Sequence, residues 1–337
     1  MSDPRCAAVE ALLSQAGELA SGERVERFEQ LQGGWSRHSH IAHIAGGSEG
    51  RRYIVRVRPP GALLDTDLGL EFRVFAALEG ADVAAPRVYG LEPLADSPFD
   101  GPFFVMEFLP GVAPNMYGRD DQAMLAADWD GARAIATDMV TTLAAIHGLD
   151  AAALPDDLPR LSFGDIVARW RSVYEERRLV RDPVIEQGFA WLEEQTPLDS
   201  REGLVHGDFR IGNTLIDKGR LTAVLDWELA YAGDVRFDLG YLALERSAGK
   251  HLRRRTPFMG TFADQAWFLE RYGELTGSPV TEEELRPFQM LSIMMLLATQ
   301  ITAVWMYANG RTTDFRMVWA RYSFPGLRDD MVRLMQW

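Results

Sequence analysis

The spacing of apolar residues along this chain changes near residue 110, and the change predicts two kinds of structure. Val9, Leu12, Leu13, Ala16 and Leu19 recur near helical intervals, so residues 5–20 read as an amphipathic helix. Short apolar runs follow at 27–32, 38–45 and 53–58, separated by Gly33-Gly34 and by Gly46-Gly47-Ser48-Glu49-Gly50. Three such runs between glycine turns predict an antiparallel meander. Residues 67–78 return to helical spacing, with Leu70, Val74, Ala77 and Leu78 on one face and Glu71 and Arg73 off it. Strands are expected at 87–91 and 103–108. After Leu109-Pro110-Gly111 the pattern is helical at 130–147, 163–177, 183–194, 238–244, 263–275, 282–307 and 316–322. The expected architecture is α+β, with a five-stranded antiparallel sheet and one helix in a lobe over 1–108 and a mostly helical lobe over 109–337. Residues 290–307 lack charge and reach membrane-span length. They carry Ser292, Thr299, Gln300 and Thr302, which fits a buried helix at the centre of the helical lobe.

One stretch breaks the helical series. Thr214-Leu215-Ile216-Asp217 and Arg220 to Leu225 flank Lys218-Gly219, the pattern of a β-hairpin. With Lys218 and Gly219 at the turn, Asn213 falls opposite Val224, and Asp226 lies just beyond on the same side. Residues two apart on a strand are roughly 7 Å apart, near enough to share a cation. Asp208 sits on the loop feeding the first strand. Two carboxylates and an amide oxygen can therefore converge, the outline of a metal and phosphate site. Magnesium takes such oxygen donors, usually one or two from protein with phosphates completing the shell.

Composition narrows the setting. Hydrophobic content of 47% and charged content of 25% are ordinary for a globular protein in water. A formal charge of −14 argues against nucleic-acid or anionic-membrane partners and is compatible with a cationic substrate. Cys6 is the single cysteine, so an internal disulfide is excluded and a reducing, cytoplasmic compartment is expected. Glu10, Gln15 and Glu18 stud the first helix, unlike a signal peptide.

His206-Gly207-Asp208, Asn213 and the apolar strand ending at Asp226 resemble the aminoglycoside phosphotransferase/choline kinase family, which has a protein-kinase-like fold. The resemblance implies an ATP-dependent kinase acting on a small-molecule hydroxyl. It implies Asp208 as the base taking the hydroxyl proton, His206 bracing the loop, Arg210 with them in the catalytic set, and Asn213 and Asp226 holding Mg²⁺. In such enzymes a loop of the small lobe covers the nucleotide, which points to Gly34 and Ser36 within Gly33-Gly34-Trp35-Ser36; a plain hairpin turn explains these residues equally well. The family usually has lysine on the third strand. Tyr53-Ile54-Val55-Arg56 instead resembles a branch fused to acyl-CoA dehydrogenases and linked to phosphorylation of hydroxyacyl-CoA. Arg56 is then expected at the α and β phosphates, with Glu71, 15 residues on, as its partner. Arg58 is the less favoured candidate because Pro59 ends the strand. Val105 to Gly111 matches the inter-lobe hinge, with Glu107 and Phe108 meeting adenine. A nucleotide-binding pseudokinase, suggested by the arginine and the loose glycine loop, and an aminoglycoside-directed enzyme stand as alternatives.

Other features compete for attention. His38 and His40 share a strand face as zinc ligands can, but no cysteine adjoins them, and exposed imidazoles are the expectation. His147 reads as structural. Asp238 is expected to cap the following helix, with Asp234 capping or supporting the loop. Glu228 reads as a carboxylate that reaches the cation or is partly solvated. Lys250-His251-Leu252-Arg253-Arg254-Arg255 is either a solvated patch or a contact for an anionic acceptor.

Overall fold

Asp3 and Pro4 begin the first helix, α1 (Pro4–Gln15): the Asp3 carboxylate accepts the Arg5 N–H, and proline stands at the first helical position. Gly17 then adopts a left-handed backbone with φ 75° and Glu18 N–H returns to the Leu13 carbonyl, so α1 stops short of the expected residue 20. In this computed structural model, residues 3–31, 36–47, 50–115, 118–121, 129–195, 197, 199–244, 258–260 and 263–336 are described. The chain divides into two compact units, Met1–Pro110 with Ala223–Glu228 and Gly111–Thr222 with Leu229–Trp337.

The first unit holds β1 (Arg24–Leu31), β2 (His38–Ala45), β3 (Arg52–Val57), α2 (Leu68–Leu78), β4 (Val88–Glu92) and β5 (Phe103–Glu107). Its sheet runs β1-β2-β3-β5-β4 with every neighbour antiparallel. Alternation along β3 sorts its side chains between the two faces. Tyr53, Val55 and Val57 join Val9 and Leu13 of α1 in one core with Phe103 and Val105. Helix α2 covers the other face, where Phe72 and Phe75 meet Phe104 at ring separations of 5.8 and 6.1 Å. Arg56 is paired across the ladder with Phe104 and belongs to that second face. Asp67 caps α2 by accepting from Gly69 and Leu70.

In the second unit, α3 (Trp129–His147), α4 (Phe163–Arg177), α5 (Pro183–Glu194), α6 (Arg236–Leu242), α7 (Gln265–Thr276), α8 (Glu282–Ala308), α9 (Arg316–Trp319) and α10 (Phe324–Met335) surround short strands. A Thr281–Glu284 capping box starts α8, which packs against α4, α5, α6 and α10. Helix α8 is long and apolar enough to cross a membrane, yet 67% of its most apolar window is buried inside the protein. Helix α10 extends beyond the expected helical series. Its signals are Pro325 in the first turn and Leu327, Met331 and Met335 at four-residue intervals.

Strands β6 (Arg160–Leu161), β7 (Glu202–Val205) and β10 (Tyr231–Asp234) make a small sheet, with β10 antiparallel to β7 and parallel to β6. Between them lies the expected hairpin, β8 (Thr214–Asp217) and β9 (Arg220–Val224). Lys218 and Gly219 have φ of 50° and 77°, as a type I′ turn requires of both central residues.

The α6–α8 crossing is set by a glycine. A Cβ on Gly240 would lie 2.6 Å from the Phe288 Cβ, so the two helices meet with no room for a side chain. Elsewhere in a helix, Gly→Ala stabilises by about 1 kcal/mol. Here the overpacking term of about 1–3 kcal/mol opposes it and dominates. Gly240→Ala should therefore lower the urea midpoint; an unchanged or raised midpoint would show that the helices separate freely.

Candidate active site

Strand β7 ends at Val205, and the chain turns sharply through His206-Gly207-Asp208. Gly207 makes the turn with φ 86°, and a Cβ there would stand 2.7 Å from the Leu229 carbonyl oxygen. The turn exposes two backbone N–H groups to the interior, and one side chain satisfies both. Asp238 accepts from His206 N–H at 2.8 Å and from Gly207 N–H at 2.9 Å. It is fully buried and lies 3.2 Å from His147 Nε2, while His147 Nδ1 is 2.8 Å from the Tyr272 hydroxyl. Burial, followed by the charge of Asp238, raises the Tyr272 pKa, so that hydroxyl stays neutral. Asp238 was expected to cap a helix; instead α6 begins at Arg236 and the carboxylate holds the loop. Local pattern could suggest only the cap, because the loop is 31 and 32 residues away in sequence. Asp234 accepts from the backbone N–H and the Nε of Arg236, two residues on.

Around Asp208 the contacts are close. Arg210 Nε lies 3.2 Å from both carboxylate oxygens, and Asn213 Nδ2 donates to Oδ2 at 2.7 Å and to the Asp208 carbonyl at 2.9 Å. Both bonds use the nitrogen of the amide, which turns the Asn213 oxygen away from Asp208. Asp208 N–H donates to His206 Nδ1 at 3.2 Å, and the fully buried His206 ring meets Phe209 edge-on at 5.9 Å. Asn213 closes the 3₁₀ turn Ile211–Asn213 before β8, so it precedes the strand.

The first unit carries a second cluster. Arg56 Nε donates to Glu71 Oε1 at 2.5 Å, and Arg56 Nη2 bonds Asp226 Oδ1. Glu71 is fully buried, and its other oxygen accepts from Arg37 Nε at 3.1 Å. Burial opposes the charge on Arg56, but Glu71, Asp226 and Glu228 together outweigh it and raise its pKa. Asp226 has φ 68°, the left-handed backbone that Asp tolerates better than most side chains. Glu228, expected to be partly solvated or at the cation, has a side chain only 9% exposed and accepts from Ser36 Oγ at 2.5 Å and Thr66 Oγ1 at 3.1 Å. Burial and then the neighbouring Asp226 push its pKa up to about 7. Arg58 pairs instead with Asp65, whose side chain is 99% exposed.

The remaining expected residues are also locatable. Glu107 N–H donates to the Arg87 carbonyl at 2.8 Å, and the Arg52 guanidinium lies 3.8 Å from the Phe108 ring centroid. Gly34 and the run Lys250 to Arg255 lie outside the described residues. Burial lowers the pKa of His40, which packs between Phe28 and Phe99, and no cluster of three or more His, Cys, Asp or Glu suited to a metal occurs among the described residues. Sequence reasoning missed Arg37 and Thr66. An arginine beside a turn at the start of a strand looks solvated, and nothing local marks this one as 3% exposed.

Residues 27–287 match the profile of the phosphotransferase enzyme family. The chain belongs to that family. Mouse acyl-CoA dehydrogenase family member 10 is 32% identical over 77% of this chain, and an Arabidopsis thaliana protein named as a probable acyl-CoA dehydrogenase is 29% identical over 64%. The matched chain spans only 23% and 27% of those relatives. Hygromycin-B 4-O-kinase of Escherichia coli is 36% identical over 23% of the chain. Among solved structures, a Ralstonia eutropha protein named for the aminoglycoside phosphotransferases covers 98% of both chains with a TM-score of 0.76 and 24% identity. Aminoglycoside phosphotransferase APH(4)-Ia gives 0.61 at 19% identity, covering 96% of this chain and 98% of its own. These structural likenesses show the fold of the phosphotransferase family, bilobal and protein-kinase-like.

Asp238→Ala strands two buried N–H groups of the loop. Each such loss costs about 1–3 kcal/mol, so the variant should unfold at clearly lower denaturant. A midpoint equal to that of the parent would show that the loop finds other partners.

Proposed function

We propose that this phosphotransferase moves the γ-phosphoryl group of ATP to a hydroxyl of a small molecule in the cytoplasm. The observation that carries the reading is the Asp208–Asn213 arrangement: a carboxylate 23% exposed, clamped by Arg210 and Asn213 on a loop whose backbone is fixed from behind. Asp208 accepts the proton of the acceptor hydroxyl as its oxygen bonds to the γ-phosphorus. The bond from that phosphorus to the β–γ bridging oxygen breaks, and ADP leaves with the electron pair. Arg210 orients the carboxylate, and His206 keeps the Asp208 backbone in place. Arg56, held by Glu71, grips the α and β phosphates, since an arginine fork suits two phosphate oxygens. Ser36 flanks the nucleotide, and Glu107 and Phe108 meet adenine.

The donor set suits magnesium. Asn213 offers an amide oxygen turned away from Asp208, and Asp226 offers a carboxylate, both hard donors. Asn213 and Asp226 would hold the ion as its protein ligands, since magnesium usually takes one or two such donors beside phosphates. The chemistry supplied there would be neutralisation of the phosphate charge during transfer.

For the acceptor we favour a hydroxyacyl-CoA over an aminoglycoside. The likeness to the acyl-CoA dehydrogenase relatives runs over 77% of the chain, against 23% for the hygromycin kinase, and Arg56 follows the pattern of that branch. Transfer should therefore occur to hydroxyacyl-CoAs when these are assayed beside aminoglycosides, choline and homoserine. Turnover on aminoglycosides alone would overturn this choice and leave the reaction type standing.

Asp208→Asn tests the base. General-base loss costs about 10²–10⁴-fold, so kcat should fall by that range while affinity for magnesium–ATP stays nearly constant. Full turnover in the variant would refute the assignment.

A further inference from the structure

Arg37 has no part in the reaction as written, yet its side chain is 2% exposed and fully engaged. Nε reaches Glu71 Oε2 at 3.1 Å, Nη2 reaches Thr66 Oγ1 at 2.7 Å and Glu228 Oε2 at 3.3 Å, and Nη1 reaches the Ser36 carbonyl at 3.2 Å. The consequence lies in the neighbouring pair. Arginine and carboxylate commonly close through two parallel hydrogen bonds. Arg56 does not pair that way with Glu71: its Nε takes Oε1, and its Nη2 turns to Asp226. Oε2 of Glu71 is directed instead at Arg37 Nε, which competes with Arg56 for it.

We infer that Arg37 is a positioning residue for the phosphates of the nucleotide, acting through Glu71. By holding one carboxylate oxygen it keeps the Arg56–Glu71 pair single-bonded and leaves the outer edge of the Arg56 fork for Asp226 and phosphate oxygens. With Arg37 gone, Glu71 rotates, takes Arg56 through both oxygens and draws the fork inward. The same guanidinium ties the Ser36 backbone to Thr66 and Glu228, so Ser36 is fixed to the support that holds Arg56. This inference rests on the reading of Arg56 as a phosphate ligand.

Calorimetric titration of the full chain with magnesium–ATP and, separately, with adenosine tests it. Adenosine has no phosphates and registers damage to the nucleoside site alone. Arg37→Met should weaken magnesium–ATP about tenfold, the scale of one or two charge-assisted hydrogen bonds, with adenosine affinity within about twofold of the parent. Arg37→Lys should behave like Arg37→Met, because one ammonium cannot reach four partners on different elements. Should Arg37→Met fail to fold, Thr66→Val loosens Arg37 without removing a charge and should cost about threefold on ATP only. Parallel loss of ATP and adenosine, or unchanged ATP affinity, would overturn the inference. In a control, Arg56→Met must also lose ATP affinity. If it does and Arg37→Met does not, the inference fails alone. If Arg56→Met binds ATP as the parent does, the phosphate reading fails and takes the inference with it.

Discussion

A carboxylate with no solvent at all, Glu71, is the constraint on which the first unit depends. Burying an ionised carboxylate is costly unless its oxygens are paired, and Glu71 has a guanidinium on each. The two arginines arrive from different places in the chain, Arg37 just before β2 and Arg56 on β3. Each then reaches a further acid, Glu228 for Arg37 and Asp226 for Arg56. Three carboxylates thus share two cations, and the raised pKa of Glu228 is the expected response to burial and a like charge. Removing either arginine would leave Glu71 under-compensated, which makes the cluster a unit rather than a set of pairs.

The second unit solves a comparable problem by different means. Asp238 is as buried as Glu71, but its partners are two backbone N–H groups and a histidine ring. Backbone dipoles stabilise the carboxylate and, in the same bonds, fix the path of the chain through His206 and Gly207. The distinction follows the proposed chemistry. A phosphate-gripping group needs its charge aimed, so it is held by opposite charge. A proton acceptor needs its position fixed and its charge left available, so the loop carrying Asp208 is braced through its backbone.

Sequence patterning captured what is local. Strand β2 and helices α4 and α5 run between the expected residues, the helices because Ser162, and Asp182 with Pro183, are strong start signals. The Lys218-Gly219 turn follows from the left-handed backbone that such a hairpin needs. The residues from His206 to Asn213 stand out because the proposed catalytic role needs particular residue types at fixed offsets. What escaped depends on pairings distant in sequence. Arg37 meets Glu71 34 residues on, and Asp238 meets His206 32 residues back. Each looks ordinary in its own window, an arginine beside a turn and an aspartate before a helix. Burial gives them meaning, and burial is decided by tertiary packing.

Arginine at position 56 then looks less like a conservative exchange for lysine than a change with consequences for its neighbours. A lysine ammonium is a point charge, and one carboxylate oxygen can hold it from any side. A guanidinium is planar and presents donors along two edges, so a carboxylate left to rotate will take an edge bidentately and consume the donors that face outward. Those donors stay free of Glu71 while its second oxygen is oriented toward Arg37. Arg37 acts from just before a strand, where nothing in the local pattern calls for it. On the proposed reading the two arginines act together, the guanidinium at 37 orienting Glu71 so that the fork at 56 is left to phosphate.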